Sequence, residues 1–172
     1  MIRILGIDPG SLNTGYGIID VDGNHSIQID NGTIQTKTSE LPNKLLIIFT
    51  QLNDIIDQHQ PDEVAIEKIF MHRNADSALK LGQARGAAIT ICATKQLKIF
   101  EYTANQVKQA TVGRGHAAKQ QVQHMVKVLL CLSEVPQVDA ADALAVALCH
   151  AHSREGLTRM AGVKGISGGR LK

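Results

Sequence analysis

Residues 1–17 read MIRILGIDPGSLNTGYG, and the rest of the chain is organised around them. Ile2, Ile4 and Leu5 open an apolar, β-branched run that reaches Asp8 and is broken at once by Pro9, Gly10 and Ser11. A short apolar run bounded by Pro and Gly is a strand signal, and its continuity marks a buried central strand. A carboxylate at the end of such a strand sits at the rim of a sheet, anchored by the core yet facing outward. Gly10, Gly15 and Gly17 then carry the turn and the following segment with no side-chain bulk. That leaves room for a ligand, such as a phosphate-bearing one, to approach the backbone. Asp8 can also simply begin an Asp-Pro-Gly turn; three further carboxylates downstream favour a site.

Working outward, residues 14–20 predict a second strand, the Asp22-Gly23 pair a hairpin turn, and residues 26–36 a third strand. Leu41, Leu45, Ile48, Leu52, Ile55 and Ile56 recur at helical spacing, with Ser39 as candidate cap and Pro61 as stop. Residues 64–67, VAIE, form a fourth short strand that ends in a carboxylate, Glu67, as the first did. Residues 74–95 predict a long helix with a stripe of small residues, Ala75, Ala78, Gly82, Gly86 and Ile89. Each interior glycine costs a helix about 1 kcal/mol relative to Ala, so close approach of another helix is expected to offset it. Either the same chain or a two-fold copy can supply that helix. A fifth strand over 97–102 and a helix over 105–112 follow, and Gly113-Arg114-Gly115 breaks the chain. A helix through Val122, Val126 and Leu129 comes next, and Asp139 opens a final one with Leu144, Leu148 and Ala151 on its apolar face. From Ser153 the chain holds five glycines and little periodicity, the pattern of a mobile tail. The order βββ-α-β-α-β-α-α-α predicts an α/β domain over 1–152. Its mixed five-stranded sheet has three antiparallel strands, then two parallel ones, flanked by helices.

Hydrophobic content of 44% and charged content of 20% fit a globular chain of 172 residues with a single core. Cys92, Cys131 and Cys149 match no metal spacing and read as buried reduced thiols of a cytoplasmic protein. No leader pattern and no membrane-length apolar run is present. The net charge of +2 conceals a split: residues 153–172 carry five Lys and Arg against one Glu, and the body carries 13 against 15 acids. Local distribution is more telling. Between Tyr102 and Ser133 there is no acid, while Lys108, Arg114, Lys119, Lys127, His116 and His124 fall there. Lys68, His72, Arg73, Lys80 and Arg85 follow Glu67 with only Asp76 among them. Two such clusters in a small domain suggest a polyanion footprint.

Asp139 and Asp142 lie three apart at a helix start, hence on one face near the positive end of the helix dipole. An N-cap and a surface charge account for them separately. Asp8 and Glu67, however, each end a strand of the same sheet. Four converging carboxylates with no Lys or Arg among them repel one another, and a hard divalent cation relieves this through oxygen ligands. Two such ions about 3.5–4 Å apart would serve phosphodiester hydrolysis with water as nucleophile. No Ser/His/Asp or Cys/His arrangement and no phosphate-binding G-x-x-x-x-G-K-[ST] loop offers an alternative.

The stretches ILGIDPGSLNTGYG, AIEKIFMHRNADSALKLGQARG and DAADALAVA, in this order and spacing, resemble the bacterial RuvC family of Holliday-junction resolvases. The resemblance runs from Ile4 to about His150. It implies a ribonuclease-H-like fold and a homodimer that uses Mg²⁺, replaceable by Mn²⁺, to nick two strands of a four-way DNA junction symmetrically. Matched motif to motif, the family's four catalytic acids fall on Asp8, Glu67, Asp139 and Asp142. Phe70 matches an aromatic used against unstacked bases, and Lys108 and Lys119 match DNA contacts near the scissile phosphate. Arg73 and Arg114, from the two basic clusters, are further DNA-contact candidates. The helix bearing Ala78, Gly82 and Gly86 corresponds to the family's dimer helix. A branch-migration complex of a junction-binding protein and a hexameric motor is the implied partner. An ATP-binding fold of the actin and sugar-kinase type also has a strand followed by D-x-G, but it requires two such domains. A catalytically silent junction-binding dimer is the rival from another class, and the presence of all four acids argues against it.

Overall fold

The computed structural model describes residues 1–37, 40–69 and 74–163, with side chains to residue 154. The cap expected at Ser39, the DNA contacts expected at Phe70 and Arg73, and the tail from residue 164 lie outside the described residues. Five strands form one sheet: β1 (Ile2–Asp8), β2 (Asn13–Asp22), β3 (His25–Gln35), β4 (Glu63–Glu67) and β5 (Lys98–Tyr102). Their order is β3-β2-β1-β4-β5. β1–β2 and β2–β3 pair antiparallel, and β1–β4 and β4–β5 pair parallel. The helices are α1 (Leu41–His59), α2 (Ala75–Thr94), α3 (Ala104–Val112), α4 (Lys119–Leu129) and α5 (Val138–Val163). Element order and sheet type are those expected from the sequence.

β1 is central, and its Ile4, Leu5 and Ile7 are all fully buried because helices cover both faces. On one face Leu5, Ile7, Ile18, Val64 and Ile66 pack with Ile48, Leu52 and Ile56 of α1 and Ala84, Ala88 and Ile91 of α2. On the other, Ile4, Ile19 and Ala65 pack with Val107 of α3, Val122 and Val126 of α4, and Leu144 and Leu148 of α5. Each large aliphatic side chain so buried contributes about 1.5–3 kcal/mol.

α5 is the element that the expected single apolar face understates. From Ala140 to His150 every residue but Asp142 is buried, so this part of the helix is enclosed almost all round. It lies directly on β1 and β2 because those strands lack side chains beneath it. A Cβ on Gly6 would fall on the Ala143 carbonyl, one on Gly15 on the Asp139 carbonyl, and one on Gly17 within 2.7 Å of the Leu144 side chain. The backbone room expected to admit a ligand at Gly15 and Gly17 is therefore taken by the chain's own helix. At Gly10 it is taken by the Asn13 carbonyl inside the turn. Nor does α5 stop at the boundary expected at residue 153. Residues 153–163, SREGLTRMAGV, hold good helix formers and no Pro, and the helix runs to Val163.

The chain starts and stops its helices locally. Glu40, without a side-chain cap bond, precedes α1, and Gln60 closes it in the left-handed region (φ +48°) before Pro61. Asn74 caps α2 by accepting from the Asp76 and Ser77 amides at 3.1 and 3.3 Å. Thr103 and Gln106 form a reciprocal cap on α3. α2 buries Ala84, Ala88, Ile91 and Cys92 and turns Gly82 and Gly86 outward. A Cβ on either glycine would meet nothing within 4 Å, so packing against this chain does not explain these two glycines. Cys92 and Cys149 are buried free thiols, which burial pushes up to about 12 and about 11. Cys131 is exposed, contrary to expectation, because it follows the end of α4 rather than lying within it. No helix among the described residues is long and apolar enough to cross a membrane.

Candidate active site

The strand register builds the site. Ile7 pairs with Ile66 in the parallel β1–β4 ladder, so the next residues, Asp8 and Glu67, end adjacent strands side by side. Side chains alternate along a strand, and Ile4 and Ala65 belong to the cluster beneath α5; Asp8 and Glu67 therefore face α5 as well. Asp8 also pairs with Gly15, the residue on which the Asp139 backbone rests. Asp139 lies in the first turn of α5, and Asp142 follows one turn on. Asp8, Glu67 and Asp142 line one cleft of about 200 Å³ with Lys108, Lys119, Ala104, Val107 and Val122. A smaller recess on the Pro9, Lys68 and Leu81 side also reaches Asp8 and Glu67.

The charges in this cleft act on one another. Burial, then the facing carboxylates of Glu67 and Asp142, push the Asp8 carboxyl up to about 8, with Lys119 opposing and Asp139 adding. Burial, then Asp142, also raises Glu67, against Lys119 and Lys108. Lys119 Nζ lies 3.1 Å from Asp142 Oδ2 and is itself raised, chiefly by that carboxylate. The expected convergence of four acids without an interleaved cation thus needs correction. Three line the cleft, Asp139 stands close enough for its charge to reach Asp8, and Lys119 stands among them. Among the described residues no three His, Cys, Asp or Glu side chains are grouped closely enough to hold an ion as they stand. The donor chemistry nonetheless fits a hard divalent cation. Every acidic donor in the cleft is a carboxylate, no His or Cys lines it, and added positive charge would offset the burial and the facing carboxylates that together raise Asp8.

Two supporting residues carry no signal in the sequence, and a third has a different role from the one expected. Thr14, fully buried, donates from Oγ1 to the Gly10 carbonyl at 3.2 Å and fixes the turn after Asp8. Thr36 Oγ1 donates to the Ser11 and Leu12 carbonyls at 3.1 Å each. The sequence groups Arg85 with the polyanion footprint. Instead its Nε donates to the Glu67 carbonyl at 3.3 Å and its Nη2 pairs with Glu101 at 3.0 Å, bracing the end of β4. Lys80 is likewise paired, with Asp76 at 2.6 Å. Of the DNA-contact candidates, Lys108 and Lys119 line the cleft, and Arg114 is exposed between α3 and α4.

Known proteins share this sequence and this fold. The family model described as crossover junction endodeoxyribonuclease RuvC matches residues 4–150. A protein of that name from Shewanella loihica is 55% identical over 159 residues, 92% of each chain. Another, from Shewanella baltica, is 54% identical over 162 residues, 94% of each. The structure of Thermus thermophilus RuvC in complex with a Holliday junction substrate matches with a TM-score of 0.86 at 32% identity, covering 92% of this chain and 98% of that one. The yeast mitochondrial Holliday junction resolvase shares the fold at a TM-score of 0.69 and 13% identity.

Proposed function

The chain belongs to the RuvC family of crossover junction endodeoxyribonucleases, and from that premise we propose that Asp8, Glu67, Asp139 and Asp142 are its catalytic, metal-holding acids. The enzyme is a metal-dependent nuclease that resolves four-way DNA junctions, consistent with a role in recombination and repair. The ions in this reading are two Mg²⁺ per site, with Mn²⁺ able to substitute. When bound they supply Lewis-acid activation of water and neutralise charge that builds on the phosphodiester. Asp8, Glu67, Asp142 and, one turn before it, Asp139 would hold them. Lys108 and Lys119 hold the scissile phosphate, and Ala104, Val107 and Val122 form an apolar wall that limits competing water. Arg114 and Arg73 are further phosphate contacts. A flat apolar ring at Phe70 would replace stacking lost at the crossover, worth about 1–3 kcal/mol per base.

The observation that carries this reading is the gathering of Asp8, Glu67 and Asp142 with two lysines in one cleft. Symmetric paired nicks require two such sites. The outward glycines of α2 suit a two-fold partner, so Ala78, Gly82 and Gly86 are assigned to a homodimer seam. A branch-migration complex and a cytoplasmic setting complete the reading. The test is incubation with an immobile four-way junction, a linear duplex and single strands, with and without Mg²⁺. Paired Mg²⁺-dependent nicks on the junction are expected. Asp8→Asn should abolish them and leave junction binding intact; loss of binding would remove Asp8 from the metal site and make it structural.

A further inference from the structure

One cation already stands among the acids. Lys119 opens α4, Asp142 lies in α5, and their 3.1 Å ion pair joins two helices whose apolar side chains also pack together. The two halves differ: the Asp142 side chain is only 16% exposed, whereas that of Lys119 is 70% exposed. The carboxylate is held in place, and the lysine is free to swing away on its flexible stem. Lys108 lines the same cleft, but among the described residues no carboxylate lies within ion-pair distance of it. Among the described residues no three acids are gathered into an ion-holding group.

We propose that Lys119 is a built-in counter-cation: it occupies Asp142 in the metal-free protein and must leave that carboxylate for a divalent ion to load. The inference rests on the reading of Asp142 as a metal ligand. Its consequence is a coupling between the two things the cleft binds. A phosphate that draws the Lys119 ammonium away frees Asp142 for metal, and loading of metal frees Lys119 for phosphate. Linkage makes the two effects equal. Metal would then be held weakly until DNA is in place, so Lys119 is a positioning residue for Asp142 as well as a phosphate contact.

The test is Mn²⁺ binding to the full-length protein without DNA, read by electron paramagnetic resonance of free Mn²⁺. Lys119→Met and Lys108→Met each remove one charge from the same cleft, but only the first removes a partner of Asp142. Lys119→Met is expected to tighten Mn²⁺ binding about fivefold or more beyond Lys108→Met. Lys119→Arg, which keeps the pair, should bind as the wild type does. Reductive methylation of Lys119, followed by mass spectrometry, should rise on adding Mg²⁺ as the amine is released. Equal tightening by the two Met variants, or methylation unchanged by Mg²⁺, overturns the counter-cation role and leaves the metal site standing. A wild type that binds no Mn²⁺ in an Asp8-dependent manner overturns the metal reading and this inference with it.

Discussion

Gly15 and Asp139 meet backbone to backbone: a Cβ on Gly15 would fall on the Asp139 carbonyl. The same Gly15 pairs with Asp8 across β1 and β2. Gly15, together with Gly6 and Gly17, thus sets the spacing between the strands beside Asp8 and the helix that carries Asp139 and Asp142. Gly15→Ala must lift the start of α5 or bend β2, an overpacking cost of about 1–3 kcal/mol. Junction cleavage should fall at least about tenfold, because catalytic geometry is sensitive to displacements near 1 Å. Junction binding should persist. Thermal denaturation and a nicking assay check this, and full activity at an unchanged midpoint would mean α5 is not seated through Gly15.

That contact also marks what the sequence could and could not disclose. Missing bulk at Gly15 and Gly17 is legible, but what fills the space comes from Asp139 and Leu144, far along the chain, and nothing local names it. Asp8 and Glu67 were readable as strand-end acids because apolar runs and breakers are local signals. Their adjacency depends on the parallel Ile7–Ile66 register, which pattern alone does not fix. Lys119 was readable as basic, but its choice of Asp142 over open solvent is a tertiary outcome. Arg85 shows the same limit: a charge in a basic cluster was bound inward to Glu67 and Glu101. The continuation of α5 past residue 153 is not legible locally, because glycines interrupt the helix formers there.

Asp8 gives the metal-free protein a pH signature. Burial and its acidic neighbours raise its carboxyl from an ordinary 3.8 to about 8. The folded state therefore keeps a proton that the unfolded chain releases. Stability contributed by this group is fully present below about pH 4 and is lost as pH rises through about 8. Asp8→Asn cannot ionise and escapes that loss. In chelator, its midpoint should exceed that of the wild type at pH 8 but not at pH 4, by about 2–4 °C for each kcal/mol recovered. An equal difference at both pH values would remove the titration of Asp8 as the cause.

His150 works in the opposite range, further along the same helix α5 that Asp8 faces. It is 1% exposed, its ring stacks on Phe100 with centroids 4.3 Å apart, and its two nitrogens meet Glu63 Oε2 at 2.8 Å and Tyr102 Oη at 2.7 Å. Burial lowers it below 6.5 despite the Glu63 contact. The unfolded chain therefore takes up a proton that the folded state resists, and stability falls as pH drops through 6.5. His150→Gln should lose about 1–3 kcal/mol at pH 8, where buried hydrogen bonds are broken. It should also show a flatter decline as pH drops below 6.5. Urea midpoints at several pH values measure both, and an unchanged slope would assign the acid sensitivity elsewhere.

The outer face of α2 permits a sharper separation. Gly82 and Gly86 have nothing within 4 Å of a Cβ, and Leu79 beside them is 62% exposed. In an isolated chain, replacing Gly86 by a helix former should therefore stabilise α2 by up to about 1 kcal/mol. If a second copy lays its own helix against the glycines, a bulky side chain instead holds the two backbones apart. Gly86→Leu is expected to sediment as a monomer whose melting midpoint is no lower than that of the wild type diluted to monomer. That pairing of results matters, since misfolding would also abolish the dimer but would lower the midpoint. The monomer should still nick a junction, but at one strand at a time, because paired cleavage needs both sites held on one two-fold axis. A Gly86→Leu protein that remains dimeric would move the seam off α2 and leave the glycines without a role in assembly.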